Sequence, residues 1–368
     1  MILIGITIAL VIGIFIFLQT AVFGQNPEGA AAERVQKSPH YKNGKFENLS
    51  FTPDLAEDAT YWKVIKQQFR KIEDKEPNEP LPAVKTDLNN LAPDGLQVIW
   101  FGHSAYLLRI NGKNILVDPV FSGYASPVPI FAKAYDATYN YAVADMPAVI
   151  DVLLISHDHY DHLDYKTVKA LQPRVKQVVT SLGVGSHLQR WGYDRTKINE
   201  LDWNDSITID RVLNFTAQPA RHFSGRGLKR NQTFWSSFVL ETPTHNLFLG
   251  GDSGYDTHFK EIGQKHGPFD LAILECGQYN PYWKYIHTMP EQTAQAAIDL
   301  KAKVLLPVHW GKFTLAPHPW REPIERLTKK AAELNLPIAT PMIGEVLEIG
   351  NPSPLTPGGG TKKWWSVK

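Results

Sequence analysis

The chain has 368 residues, 43% of them hydrophobic and 20% charged, which is enough apolar material for a substantial core and excludes a disordered polyelectrolyte. A formal net charge of +1 argues against a large nucleic-acid footprint, so no nucleic-acid partner is expected. The single cysteine, Cys276, excludes an intrachain disulfide and a cysteine-rich zinc site, so any metal must be held by carboxylates and by the 13 histidines.

Residues 2–18 carry neither a charge nor a proline. This run is close to the roughly 17–25 apolar residues of a membrane helix, so residues 1–24 are expected to be a single-pass anchor or, as the alternative, a cleaved signal peptide of an exported protein. Arg34, Lys37, Lys42 and Lys45 follow it and would place the rest of the chain on the cytoplasmic side. Residues 25–53 are polar and read as a linker. Residues 54–350 are expected to form one folded domain, and 351–368 a C-terminal tail whose Trp364-Trp365 pair frays.

Within the domain, Trp62, Ile65, Phe69 and Ile72 predict an amphipathic helix within residues 54–72 on the domain edge, before Pro77, Pro80 and Pro82 break the chain. Short apolar runs follow. Val98-Ile99-Trp100-Phe101 leads to Gly102-His103, and two runs flank the turn Asn111-Gly112-Lys113. Residues 148–155 end at a histidine cluster. Further strands are expected at 175–180, 207–209, 213–217, 238–241, 246–249, 271–274 and 304–307. Helices are expected at 164–171, at 290–301 behind a Thr288/Glu291 capping box, and at 322–334. This alternation predicts α/β layers in one domain.

Four apolar runs each end in a residue that metals favour: Ser156-His157, Arg221-His222, Gly251-Asp252 and Val308-His309. The first opens the run His157-Asp158-His159-Tyr160-Asp161-His162. In extended backbone His157 and His159 point the same way and can share one ion, while Asp161 and His162 can reach a second as the chain turns into the next helix. Imidazole and carboxylate suit zinc, and also iron or manganese. Burying such a run without partners would be costly, which argues against an ordinary core segment. His287, just before the helix at Pro290, is placed to meet a phosphate or to protonate a leaving group. His103, Asp118 and Asp158 are expected to orient ligands rather than to bind metal.

The pattern His157-x-His159-x-Asp161-His162, followed in order by His222, Asp252 and His309, resembles the metallo-β-lactamase superfamily. That resemblance implies a four-layer αββα sandwich with two zinc ions at the sheet edge. His157, His159 and His222 would hold the first ion, Asp161, His162 and His309 the second, and Asp252 would bridge them. Trp100-Phe101-Gly102-His103-Ser104, Val117-Asp118-Pro119-Val120-Phe121-Ser122, Ala220-Arg221-His222-Phe223, His287-Thr288-Met289-Pro290-Glu291 and His309-Trp310-Gly311-Lys312-Phe313 further resemble the N-acylphosphatidylethanolamine-hydrolysing phospholipase D family, over residues from about 40 to 335. A looser likeness is to ascorbate-6-phosphate lactonases. The closer resemblance implies a membrane-associated phosphodiesterase in which a hydroxide shared by the ions attacks phosphorus, Asp161 and His287 serving the catalysis. Trp235, Tyr279, Tyr282, Trp283, Tyr285, Trp310 and Trp320 are candidates for an acyl-chain channel or a membrane interface. Two other functions fit the same residues: a lactonase or related hydrolase of a small phosphorylated or cyclic substrate, and a non-catalytic, membrane-tethered binding module.

Overall fold

The computed structural model describes residues 2–350 and 363–366. Helix α1 spans Ile2–Leu18 and α2 spans Ala30–Gln36, followed by the small hairpin β1 (Tyr41–Lys42) and β2 (Lys45–Phe46) and by α3 (Tyr61–Gln68). The body then runs β3 (Leu96–Trp100), β4 (Tyr106–Ile110), β5 (Lys113–Val117), β6 (Ile150–Ile155), α4 (Tyr165–Leu171), β7 (Val175–Ser181), α5 (Gly185–Arg190) and β8 (Ile198–Leu201). The second half adds β9 (Ser206–Ile209), β10 (Leu213–Gln218), β11 (Ser237–Glu241), β12 (Asn246–Leu249), α6 (His258–Lys265) and β13 (Leu271–Glu275). It closes with α7 (Pro290–Asp299), β14 (Leu305–Val308), α8 (Glu322–Glu333) and β15 (Val346–Ile349).

Two mixed sheets carry the fold. One has the order β15-β3-β4-β5-β6-β7-β8, the other β14-β13-β12-β11-β10-β9. Hairpins supply the antiparallel halves. Asn111 and Gly112 both take positive φ, as a two-residue turn between right-twisted strands requires, and set Ile110 opposite Lys113. Crossovers through α4 and α6 produce the parallel pairs β6–β7 and β12–β13. β6 and β13 are buried along their whole length, which explains why, apart from Asp151 and Glu275, they read as continuous apolar runs. Ile99, Leu107 and Leu154 of the first sheet and Phe238, Leu249 and Ile273 of the second belong to one hydrophobic core. α7 packs on β13 and against α6 and α8.

Five expectations are corrected. Among the described residues no helix is long and apolar enough to cross a membrane. α1 has 17 residues, and at 1.5 Å per residue it reaches about 26 Å, short of a hydrocarbon core of about 30 Å. The single-pass anchor is therefore overturned. Residues 25–53 are not a free linker: Val35 and Phe46 are buried with Leu182, Trp203, Phe234 and Trp235, and Phe46 stacks on Phe234 at 4.3 Å. Trp364 and Trp365 do not fray but pack on Trp310, Trp364 at 5.1 Å, while residues 351–362 of the expected tail lie outside the described ones. At α7 the capping contact comes from Gln292 to the Met289 backbone, and Thr288 instead donates toward the Glu275 carbonyl. The expected helix over 54–72 shortens to α3, whose start is set by the extended Thr60 accepting a hydrogen bond from the Lys63 amide.

Candidate metal centre

Every sequence-predicted ligand, and with them the orienting residues His103 and Asp118, sits at or just beyond the C-terminal end of a strand. His103 follows β3, Asp118 follows β5, and His157 to His162 follow β6 in the first sheet. In the second, His222 follows β10, Asp252 follows β12 and His309 follows β14. The two sheets are fastened here by a reciprocal backbone pair, His309 N to His103 O at 2.9 Å and His103 N to Trp310 O at 2.8 Å. His103, Asp118 and His309 all adopt positive φ, a conformation that side chains tolerate only when the surroundings enforce it. Gly251 also has positive φ, and a Cβ there would lie 2.9 Å from the Ser156 Cβ, so only glycine lets β12 deliver Asp252 this close to β6.

The seven expected metal residues come together in two clusters. His157, His159, His222 and Asp252 form one; Asp161, His162 and His309 form the other, joined by His103. The His159 Nδ1 lies 2.9 Å from His157 Nε2 and 3.2 Å from His222 Nε2. Nitrogens around a tetrahedral ion, each about 2.0–2.1 Å from it, stand about 3.3 Å apart, so this convergence suits a cation. Asp252 stands between the clusters, with Oδ2 3.2 Å from His162 Nε2, 3.7 Å from His222 Nε2 and 3.9 Å from His157 Nε2, and Oδ1 3.2 Å from His309 Nδ1. Asp161 Oδ2 lies 3.6 Å from His162 Nε2 and 4.0 Å from His309 Nε2. The buried His162 Nε2 and Asp252 Oδ1 lack a hydrogen-bond partner, which a protein tolerates poorly unless something else is meant to bind there. The donor set therefore fits metal.

The outer nitrogens and oxygens are fixed by partners. Asp118 accepts from the Ser156 amide and hydroxyl at 2.8 and 2.6 Å and lies 2.8 Å from His162 Nδ1, which turns His162 Nε2 inward. His222 Nδ1 donates to the Ile286 carbonyl at 2.8 Å. His103 Nε2 lies 2.9 Å from Asp161 Oδ2, and Ser104 Oγ lies 2.9 Å from His309 Nδ1. Asp158 points away from the ligands and binds His187, Thr233 and the Gly225 amide.

Burial lowers the pKa of His157, His222 and His309 well below the ordinary imidazole value, and neighbouring imidazoles add to the effect for His157. For His162 burial acts in the same sense, but Asp252, Asp161 and Asp118 outweigh it and raise its pKa. Asp252 resists burial because His162 and His309 hold its pKa low. Most of the centre thus favours neutral imidazole beside ionised carboxylate, the protonation state that metal binding needs.

His287 joins Asp252, Glu275 and His309 in a third cluster. Its Nδ1 lies 2.6 Å from Glu275 Oε2, while Glu275 Oε1 accepts from the Ser253 amide at 2.8 Å. Burial raises the Glu275 pKa, and the facing carboxylate raises that of His287 against its own burial. Glu275 was missed in the sequence because it ends an apolar strand. Asn48 was missed because it lies in the supposed linker. Its side chain pairs with both the carbonyl and the amide of His222, at 2.8 and 3.1 Å.

Above these clusters lies a cavity of about 300 Å³. His159, Asp161, His222, Asp252, His287 and His309 form its floor, and Leu55, Tyr61, Phe223, Trp283 and Leu315 its apolar wall. Arg230, on the same wall, stacks over Phe223 at 4.0 Å and pairs with Asp54 at 3.1 Å. Of the aromatics expected to form an acyl channel, Trp283 lines this cavity; Trp235, Tyr279, Trp310 and Trp320 are buried in the body.

The family model described as the beta-lactamase superfamily domain matches residues 113–310, more than half of the chain. The chain belongs to this family. An uncharacterized protein of Mycobacterium tuberculosis is 40% identical over 90% of this chain and 88% of its own length. The N-acyl-phosphatidylethanolamine-hydrolyzing phospholipase D 1 of Caenorhabditis elegans is 29% identical over 74% of this chain and 83% of its own. Among solved structures, a metallo hydrolase from the hyperthermophilic archaeon Ignicoccus hospitalis shares the fold with a TM-score of 0.54 at 18% identity, over 68% of this chain and 97% of that one. The protein is a metal-dependent hydrolase of the metallo-β-lactamase superfamily, with a His/Asp cluster suited to binding metal.

Proposed function

We propose that the protein is a zinc-dependent phosphodiesterase of phospholipase D type, acting on N-acylphosphatidylethanolamine or a related phospholipid. One observation carries the reading: two ligand clusters with Asp252 between them lie at the floor of a cavity whose wall is apolar and holds one arginine, beside a carboxylate-backed histidine. In this reading His157, His159 and His222 would hold one ion and Asp161, His162 and His309 the other, with Asp252 close to both groups. When bound, the ions supply an activated water and neutralise charge on the phosphoryl oxygens.

The chain's own groups do the rest. Asp252 and Asp161 place the centre next to the scissile phosphorus. Arg230 reaches a phosphate oxygen from the wall, where a guanidinium fork suits two oxygens. The P–O bond to the ethanolamine oxygen breaks, and that oxygen needs a proton. His287 supplies it: Nδ1 is engaged by Glu275, so Nε2 is the nitrogen left for the substrate. Leu55, Tyr61 and Trp283 shelter the first carbons of the acyl or glyceride part from water.

The cavity volume favours a second reading, hydrolysis of a small cyclic or phosphorylated substrate, because about 300 Å³ holds a headgroup and not whole acyl chains. Zinc-loaded protein should be assayed on N-acylphosphatidylethanolamine vesicles, a lactone panel and bis-p-nitrophenyl phosphate. Release of N-acylethanolamine is expected. Lactone turnover without phosphodiester turnover overturns the first reading in favour of the second, and zinc binding with no turnover of any substrate points to a binding module.

A further inference from the structure

The loop His157 to Leu163 supplies four of the seven candidate ligands, and its back is covered by a segment far away in sequence. Residues Gln19 to Gln25, which leave the apolar helix α1, lie across it. Four of their backbone groups are caught by side chains of the body. Arg190 donates to the Gln19 carbonyl and Trp191 to the Ala21 carbonyl, both at 2.7 Å. Arg226 donates to the Val22 carbonyl from Nε and Nη2, at 3.1 and 2.7 Å. The Gln25 amide donates to His187 Nδ1 at 2.9 Å.

Two of these side chains continue directly to the metal loop. The remaining arm of Arg226, Nη1, donates to the carbonyls of Asp158 and Leu163, both at 2.7 Å, so one buried guanidinium ties Val22 to both ends of the loop. The Tyr160 ring lies under that guanidinium at 4.1 Å, with Phe23 against its edge. Because His187 Nδ1 accepts from Gln25, its proton sits on Nε2 and is donated to Asp158 Oδ2 at 3.1 Å. Asp158 stands between His157 and His159. Gly24 lets this arrangement close: it has φ of 66°, and a Cβ there would lie 2.1 Å from His187 Nδ1.

We propose that residues 19–25 are a strap that pre-shapes the metal loop, with Arg226 and His187 as positioning residues that transmit its docking to His157, His159, Asp161 and His162. Outer partners of metal ligands usually contribute 10–100-fold to metal affinity, and by linkage a strap that strengthens metal binding is itself held more tightly by the metal. The inference rests on the ligand reading above, and its test separates the two.

The test measures zinc affinity by competition with a chromophoric chelator, and strap docking by the rate of protease cleavage within residues 19–25. In wild-type protein, saturating zinc is expected to slow that cleavage at least about tenfold. Gly24→Ala, and Arg226→Lys, which keeps the charge but cannot span both partners, should speed cleavage of the metal-free protein and weaken zinc binding at least about tenfold. Strap cleavage that accelerates while zinc affinity stays within about twofold overturns the strap and leaves the ligand assignment standing. Wild-type protein that binds no zinc overturns the ligand assignment, and the strap with it. Where neither variant folds, zinc protection of the wild-type strap decides alone: no protection sinks the proposal.

Discussion

The floor and the rim of the cavity are built by opposite rules. On the floor and directly beneath it, His222, Asp118, His162 and Glu275 are buried, and each is gripped by a named partner. On the rim, α3, whose Tyr61 lines the cavity, leaves the neighbouring Trp62 65% exposed, and Phe69 just past its end is 86% exposed, among Lys63, Lys66 and Arg70. A floor of interlocked polar groups fixes the chemistry, because a buried carboxylate or imidazole is stable only with its partners in place. A rim that packs against little is free to vary, and in the proposed function it meets the substrate. In that reading, the reaction and the choice of substrate are set by separate parts of the fold.

The sharpest break between the two regions is expected at the floor. Asp161→Asn and Asp252→Ala should lose bound zinc in elemental analysis and lose more turnover than the roughly 10–100-fold that an outer partner costs. Retained zinc and turnover would remove these residues from the centre. His287→Ala should keep its zinc and lose about 10²-fold in kcat. Glu275→Gln should do less to kcat and instead move the pH–rate profile. Glu275 raises the His287 pKa, and an acid must be protonated to act, so the alkaline limb lies at the raised value and should shift to lower pH once the carboxylate is gone. An unmoved limb would separate Glu275 from proton delivery.

Lys312 gives a stability test beneath the floor. Its ammonium is buried against the Phe101 and Val120 carbonyls, and burial lowers its pKa from 10.5 to about 8. The folded state therefore carries a cost that is fully present below about 8 and is relieved as pH rises toward 10.5, where the unfolded chain binds the extra proton. Relative to Lys312→Met, the wild type should gain up to ~3 kcal/mol across that window in denaturant melts. A parallel pH course for the two proteins would refute the buried charge. The smallest stability effect belongs to the rim: Trp62→Ala and Phe69→Ala should change stability within about 0.5 kcal/mol and leave zinc content intact. They should raise KM for vesicle substrate without changing turnover of bis-p-nitrophenyl phosphate. Equal effects on both substrates would tie the rim to the chemistry after all.

The centre was legible because its signal is local. His157, His159, Asp161 and His162 fall within six residues, and His222, Asp252 and His309 each end an apolar run, so strand periodicity and ligand chemistry point to the same positions. The hairpin at Asn111-Gly112 was legible for the same reason, since both residues suit positive φ. The grip of Asn48 on His222 joins residues 174 apart, and that of Arg226 on Val22 joins residues 204 apart. Neither leaves a periodic trace. Glu275 sits at the end of a fully buried strand, where an isolated carboxylate carries no pattern until His287 faces it.

The amino-acid sequence by itself determined the α/β alternation, most strand and helix positions and the identity of the seven candidate ligands, because each follows from side-chain period, turn chemistry and donor type within a few residues. Only the tertiary structure decided that the Trp364-Trp365 pair and residues 25–53 pack onto the body, that Asn48 grips His222 and that Glu275 faces His287. These depend on which distant surfaces meet when apolar area is buried and polar groups find partners, and no window of the chain contains both sides of such a contact.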